Sequence, residues 1–510
     1  MLITRKSRQN IPFMAIIFNI VSLLIIKAAV SEEPYHLTIL HTNDIHGQFN
    51  PLKATGIEGE PEIGGFEALS YYVARERSGV ENSLLLDAGD LMTGSVICEF
   101  EYENAYGGAL IAMMNRIGYD GMVPGNHEFD ISADNLRALE EIADFPIICA
   151  NMYKGDESIT DKLFEIYDFG DFRVGVIGLT YYPMRGMAAD PNLEGFDTLE
   201  PVHVADSLAA ELDPVTDVII ILSHLGLDED RLLADSVTGI DLIVGGHSHT
   251  ELFEPEIVNG VIMVQAGSQC RYLGKLNISI EKDSIVGFQD ELIPMLTEDM
   301  DPDPEISRMV SENNQMIDDL YGKEIGKLED KWEIEYGNQS VLGEWIADAL
   351  KKRLHTDLAI VNAGSIRRGL GPGKITIRDI YEMLPFDNDI VTFGCSGRQL
   401  RTIAGENLSL GAEGFIYPLY ISGLTCSWRE SDSGAVIIEL AVNGEPVKDD
   451  QVYQVASLDY IVLYNSKRYL GFDVRAYIKT SNKFPQVVID EAEKNEISSS
   501  AIKSGFTKIK

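Results

Sequence analysis

Five short stretches in the first half of the chain carry most of its chemistry: NDIHG at 43–47, AGD at 88–90, GNHEFD at 125–130, SHLG at 223–226 and GGHSH at 245–249. GNHEFD packs an amide, an imidazole and two carboxylates into six residues behind a Pro124-Gly125 break. Asn126 offers an amide oxygen to a cation. His127 offers an acid, a base or a phosphate donor, with Asp130 placed to fix its tautomer. Alone, this stretch reads equally well as an asparagine-capped helix start with a surface histidine. The recurrence of such residues at four other strand ends favours the cation reading. Together the ends carry Asp44, His46, Asp90, Asn126, His127, Asp130, His224, His247 and His249, which include five of the nine histidines. Asp44 and His46, like His247 and His249, are two residues apart, so on extended backbone each pair shares one side. Carboxylate, imidazole and amide donors without a thiolate suit two divalent ions of the Zn, Mn or Fe class, with Asp90 available to bridge them.

The elements that must hold these groups are legible as patterns. Apolar runs at 37–40, 83–86, 218–222 and 242–244 alternate with helical patterns at 66–77, 109–117 and 135–142. Short apolar strands between helices predict an α/β layered sandwich with buried sheets, whose ligands gather beyond the strand ends. Asp301-Pro302-Asp303-Pro304 then interrupts the chain, and 305–320 reads as a polar connecting helix. Past residue 326 the histidine clusters end. An amphipathic helix at 341–350 leads to a strand at 358–361 that ends in Asn362-Ala363-Gly364-Ser365-Ile366-Arg367. The expected division is a leader or anchor at 1–31, a first domain at 35–300, a connecting helix at 301–325, a second α/β domain at 326–485 and a tail at 486–510, polar and frayed past about Asn495.

Composition sets the outer limits. The chain has 510 residues, 41 of them basic and 81 acidic, for a formal charge of −40. Such a field repels nucleic acid and anionic lipid, and any anionic substrate must be drawn in by local cations. The five cysteines (Cys98, Cys149, Cys270, Cys395, Cys426) are scattered and form no CxxC, which predicts buried free thiols. At the N-terminus Arg5, Lys6 and Arg8 precede an apolar run at 11–26 and the small residues Ala28-Ala29-Val30-Ser31. That is the pattern of an export signal, with an uncleaved anchor as the alternative.

In this order the five motifs resemble the calcineurin-like metallophosphoesterases, and more narrowly the 5′-nucleotidase/UDP-sugar hydrolase family. The resemblance implies an N-terminal αββα metallophosphoesterase sandwich, an inter-domain helix and a C-terminal α/β nucleotide-binding domain. It implies that Asp44, His46 and His249 hold one ion, that Asn126, His224 and His247 hold the other, and that Asp90 bridges. It makes His127, backed by Asp130, the phosphate-contacting group. In the second half it assigns Asn362 and Arg367 to substrate, and Phe386 and Tyr460 to the two faces of a base. It also implies domain rotation about the 305–320 helix.

The sequence departs from the family at two points. No arginine precedes the Leu342-Gly343-Glu344-Trp345 helix, and the segment beginning Asp459-Tyr460 lacks the aspartate of the family's NGGDGF ending. Lys467 or Arg468 is placed to replace the lost charge, whereas Arg368 is expected to point away from Arg367 on extended backbone. The expected activity is an exported two-metal phosphohydrolase acting on 5′-nucleotides through a metal-bound hydroxide. The sister alternative cleaves diesters or pyrophosphates such as 2′,3′-cyclic nucleotides or UDP-sugars, and the remoter one is a non-catalytic surface binding protein. A small nucleotide is the expected partner, with membrane tethering only through the N-terminal segment.

Overall fold

The computed structural model describes residues 34–509, apart from 55–58, 186, 188–189, 335–336, 387, 410–416, 432–433 and 495–504. The predicted leader therefore lies outside the described residues. No helix among the described residues is long and apolar enough to cross a membrane.

The first domain is two facing sheets with helices outside each. One sheet has five strands in the order Ile285–Pro294, Tyr272–Ile280, Tyr35–Thr42, Ser83–Asp87, Gly121–Met122. The other has six, Phe164–Asp168, Arg173–Leu179, Val218–Ser223, Leu242–Gly245, Val261–Val264, Glu256–Val258. Leu37, Ile39, Leu84 and Leu86 of the first sheet meet Val176, Ile220, Leu222 and Val244 of the second in one dry layer. The apolar runs are unbroken because these strands are covered on both faces. Each such side chain contributes about 1.5–3 kcal/mol on burial.

The register explains where the chemistry gathers. Thr42 pairs with Asp87 and Asp87 with Met122, all in parallel. Ser223 likewise pairs with Gly245. Parallel neighbours end on the same edge, so the loops at 43–47, 88–91, 123–130, 224–226 and 246–249 open side by side.

His41, in the first strand, is 1% exposed, and its Nδ1 has no partner. A Cβ on the facing Gly274 would lie 2.1 Å from its Nε2, so only glycine fits there. Burial lowers the His41 pKa to about 4. The unfolded chain takes up this proton near pH 6.5 and the folded chain only near 4, so stability is complete above about 6.5 and falls as the pH drops through that window. Urea titrations at pH 7 and pH 5 are expected to show a loss of about 2 kcal/mol from this group, and His41→Gln should remove that share of the pH dependence.

The Pro304–Tyr321 helix follows the first domain, with Asp303 capping it by accepting from the amides of Glu305 and Ile306. It is less of a free connector than its polarity predicts: Ile306, Val310 and Ile317 are buried against the first domain. The second domain has a five-stranded sheet, Leu419–Ser422, Leu358–Asn362, Val452–Leu458, Asp389–Ser396, Tyr477–Lys483. The Val341–Leu354 and Phe484–Lys494 helices pack together on it.

The second domain runs past its expected end at 485, and residues 506–508 are ordered where fraying was expected. Phe484, Val487, Val488, Ile489 and Ala492 are core residues of the second domain. Phe506–Lys508 is a strand parallel to Leu424–Ser431, with Phe506 buried and its backbone bonded to the Gln339 side chain. One helical stripe and one phenylalanine outweigh the polar composition around them. All five cysteines are buried free thiols.

Candidate active site

The two sheets deliver their loop residues to one cleft of about 750 Å³, lined by His46, Asp90, Asn126, His127, His247 and His249 among others. Three overlapping groups have ligand atoms within 4.8 Å of one another: Asp44, His46 and His249; His46, Asp90 and His127; Asp90, His224 and His247. Asn126 joins them, with its Oδ1 3.0 Å from His247 Nδ1.

The convergence does not come from extended backbone, as the two-residue spacing predicted. Asp44, His46, Asp90, His247 and His249 all sit at φ between 50° and 70°. Left-handed backbone is unfavourable for side chains with a Cβ and collects at functional sites, where surrounding structure holds it. Part of that hold is Glu128, a buried residue that sequence reading passed over although it lies inside GNHEFD. Its Oε2 accepts from the amides of Asp90 (3.0 Å) and Gly125 (2.5 Å), and its Oε1 from that of Met92 (3.0 Å). Asn43 does the same for Asp44, donating to Asp44 Oδ2 (2.7 Å) and Gly267 O while accepting from Ala266 N. A Cβ at Gly125 would stand 2.2 Å from Asp90 Oδ1, so glycine is required for the loops to close.

The donor set fits divalent cations. His224 Nδ1 donates to Ala88 O at 2.6 Å, which leaves the Nε2 lone pair facing inward. That Nε2 is buried and stands 3.1 Å from Asp90 Oδ2. His46 Nδ1 donates to Thr93 O at 2.9 Å, so its Nε2 lone pair also faces inward, 3.0 Å from His249 Nε2. Converging lone pairs and carboxylate oxygens repel one another unless positive charge lies between them. The titration behaviour reflects the same crowding. Burial opposes the charging of His224, but Asp90 pushes it up to about 10. Burial and the neighbouring His224 lower His247 to about 4. Burial resists ionisation of Asp90 as well, and the surrounding histidines, His224 first, hold it well below the usual carboxylate range.

His127 stands at the cleft wall. Its Nδ1–H donates to Asp130 Oδ2 at 2.6 Å, and the same oxygen accepts from Thr93. Burial disfavours the imidazolium, but Asp130 and Asp90 raise the His127 pKa overall.

The second domain supplies the opposite wall. Arg367 Nη2 lies 3.3 Å from His46 Nε2, and the Phe386 ring is 6.0 Å from that of His127. Asn362 ends the Leu358–Asn362 strand, buried, with an unpartnered Oδ1. Tyr460 packs against Tyr469 at 6.2 Å beside the domain's own core and, like Phe386 and Asn362, is not among the described residues lining the 750 Å³ cavity. A five-residue π-helix, Tyr460–Tyr464, turns it there. Arg368 and Arg468 do line the cleft, and Lys467 does not. Arg368 reaches it because 366–369 is loop following the Ala363–Ser365 turn, so the alternation of a strand does not apply.

A two-sheet sandwich with histidines and carboxylates at its strand ends, joined by a helix to an arginine-bearing α/β domain, defines a class of metal-dependent phosphoester hydrolases. Residues 37–251 match the family model for calcineurin-like phosphoesterase, and residues 324–469 match that for the 5′-nucleotidase C-terminal domain. The chain belongs to the two-domain 5′-nucleotidase family. It is 25% identical over 480 residues to the endonuclease YhcR of Bacillus subtilis, covering 87% of this chain and 38% of that protein. It is 28% identical over 446 residues to a 5′-nucleotidase of Vibrio cholerae, covering 75% of this chain and 78% of that one. The crystal structure of a 5′-nucleotidase precursor from Thermus thermophilus superposes with a TM-score of 0.81 at 25% identity, over 93% of this chain and 99% of that one. The chain spans about a third of the length of the first curated relatives it matches, YhcR and the trifunctional nucleotide phosphoesterase YfkN of the same organism (38% and 32%).

Proposed function

We propose that this chain is a two-metal phosphohydrolase that releases phosphate from 5′-nucleotides. The observation that carries the proposal is the placing of Arg367, from the second domain, 3.3 Å from His46 in the first, so that one cavity holds both a cation cage and a guanidinium. In this reading Asp44, His46 and His249 hold one divalent ion, Asn126, His224 and His247 the other, and Asp90 serves both. Bound there, such ions supply Lewis-acid stabilisation of phosphoryl charge and lower the pKa of water. The remaining work falls to the protein. Arg367 neutralises the phosphoryl oxygens through its planar fork. His127, its Nδ1–H held by Asp130, donates to the transferring group from Nε2 in its protonated form, which Asp130 and Asp90 favour. Asn362 orients the substrate behind Arg367. Arg367 and Arg468 on the cleft walls answer the repulsion of a chain charged −40. That same charge makes a nucleic-acid polyanion a poor substrate. The pattern at residues 1–31 supports export, which fits a role in nucleotide breakdown outside the cytoplasm.

Phe386 is the base-stacking residue of this reading. Phe386→Ala is expected to raise KM for nucleotides by about 5–150-fold, the equivalent of about 1–3 kcal/mol of stacking, while p-nitrophenyl phosphate, which has no base, is affected less. Equal effects on both substrates would remove the assignment. The missing aspartate in the segment that begins Asp459-Tyr460 favours a second reading, in which the nucleoside is held differently and diesters or UDP-sugars are cleaved.

The deciding experiment is phosphate release after chelation and reloading with Mn²⁺, Zn²⁺ or Co²⁺, from AMP, UMP, ATP, UDP-glucose, 2′,3′-cyclic AMP and p-nitrophenyl phosphate, with a coupled phosphomonoesterase. Metal-dependent turnover led by monophosphates supports the proposal. Turnover led by diesters selects the second reading, and none with any metal leaves a binding protein.

A further inference from the structure

Within the cleft, the mechanism above leaves one charged pair unused. Arg368 Nη1 is ion-paired with Glu382 Oε2, and both residues line the same cavity as the metal-ligand groups. Glu382 is 7% exposed. Its other oxygen, Oε1, accepts from Arg378 Nε at 2.6 Å. Arg378 is anchored in turn to the connecting helix, donating to Asn314 Oδ1 and Asp318 Oδ1 at 3.0 Å each. Asn314 also exchanges hydrogen bonds with Asn50 of the first domain. The pair is therefore held from behind, with its free face towards the cleft.

Charge decides what that face takes. Arg368 and Arg378 stand against Glu382, Asp318 and Asp379, the last 3.8 Å from Arg368. Two guanidinium groups against three carboxylates do not make a second phosphate site, and a buried carboxylate would repel one. They suit a neutral group that both accepts and donates. A carboxylate oxygen keeps acceptor capacity beyond one hydrogen bond, and a guanidinium has five N–H donors. A vicinal diol satisfies both at once. Arg367, the neighbour of Arg368 in the chain, stands at the cation cage, and both arginines and Glu382 line the same cavity, so a sugar joined directly to a phosphoryl group held by Arg367 shares that cavity with the pair.

We propose that Arg368 and Glu382 bind the 2′,3′-diol of the substrate ribose, so that this chain selects ribonucleotides over 2′-deoxyribonucleotides. The assignment rests on the nucleotide reading of the site. Arg368 contacts the sugar. Glu382 contacts it and also positions Arg368.

The test compares the metal-loaded wild type with Arg368→Gln and Glu382→Gln. Initial rates are measured on AMP, 2′-deoxy-AMP and p-nitrophenyl phosphate, and binding of adenosine and 2′-deoxyadenosine by calorimetry. The wild type is expected to favour AMP over 2′-deoxy-AMP in kcat/KM by about 10–100-fold, the range of hydrogen bonds to charged groups, with the same order in nucleoside binding. Each variant should bring the ratio to within about twofold, the size expected once no charged hydrogen bond distinguishes the two sugars. Continued turnover of p-nitrophenyl phosphate serves as the check on folding. Equal use of both nucleotides by the wild type overturns the assignment and leaves the nucleotidase reading standing. So does discrimination that survives in Arg368→Gln. Turnover of p-nitrophenyl phosphate with no nucleotide turnover and no nucleoside binding overturns both.

Discussion

Asp90→Asn is expected to lower kcat/KM at least about 100-fold and to leave the protein holding less metal after dialysis. Among the described residues Asp90, like His46, belongs to two of the three ligand groups, and its Oδ2 is 3.1 Å from His224 Nε2 and 4.0 Å from both His46 Nε2 and His127 Nε2. Asparagine keeps the size and removes the charge. One of its terminal atoms becomes an N–H₂ donor, which cannot ligate a cation. Groups that merely orient metal ligands cost about 10–100-fold when lost, so a carboxylate serving two ions should cost more. Misfolding is a weak alternative for this variant, because asparagine tolerates the left-handed backbone that Asp90 adopts at φ 56°. The measurement pairs initial rates with plasma mass spectrometry of the dialysed protein. Unchanged metal content and rate would remove the two-ion assignment.

The second large effect separates chemistry from metal retention. His127→Ala is expected to reduce kcat by about 10²–10⁴-fold, the usual contribution of a positioned proton donor, with metal content close to that of the wild type. Its Nδ1 is committed to Asp130 and its backbone N–H donates to Asp90 Oδ1 at 2.9 Å. The side chain can therefore be removed while the backbone contact that steadies Asp90 stays. His127 also has a ligand atom within reach of His46 and Asp90, which makes the metal measurement decisive. Loss of an ion together with activity would reassign His127 as a ligand. Retention of both ions with a collapsed kcat would support its role at the phosphoryl group.

Strand ends rich in Asp, His and Asn, apolar runs too short and too continuous for anything but covered parallel strands, and a Pro-bounded polar helix between two compositions are local properties. From them alone came the layered α/β class, the order of the domains and the residue types of the cation cage. What the chain order cannot show is how distant loops are aimed. His46 and His249 meet at 3.0 Å across 203 residues of sequence, and they do so on left-handed turns where alternation predicted extended backbone. Glu128 escaped notice because a carboxylate that accepts three backbone amides looks in sequence like any other acid. The same alternation rule turns Arg368 away from Arg367, and it fails in the loop after Ala363–Ser365. The place of Tyr460 in its motif does not show that it sits in a π-turn beside Tyr469. The tail was read from composition, while one buried phenylalanine and a parallel strand pairing hold its end in place. Residue type and spacing set which chemistry this chain can carry; backbone conformation and long-range packing decided which of those side chains share the cleft, because direction in space is a property of the whole fold.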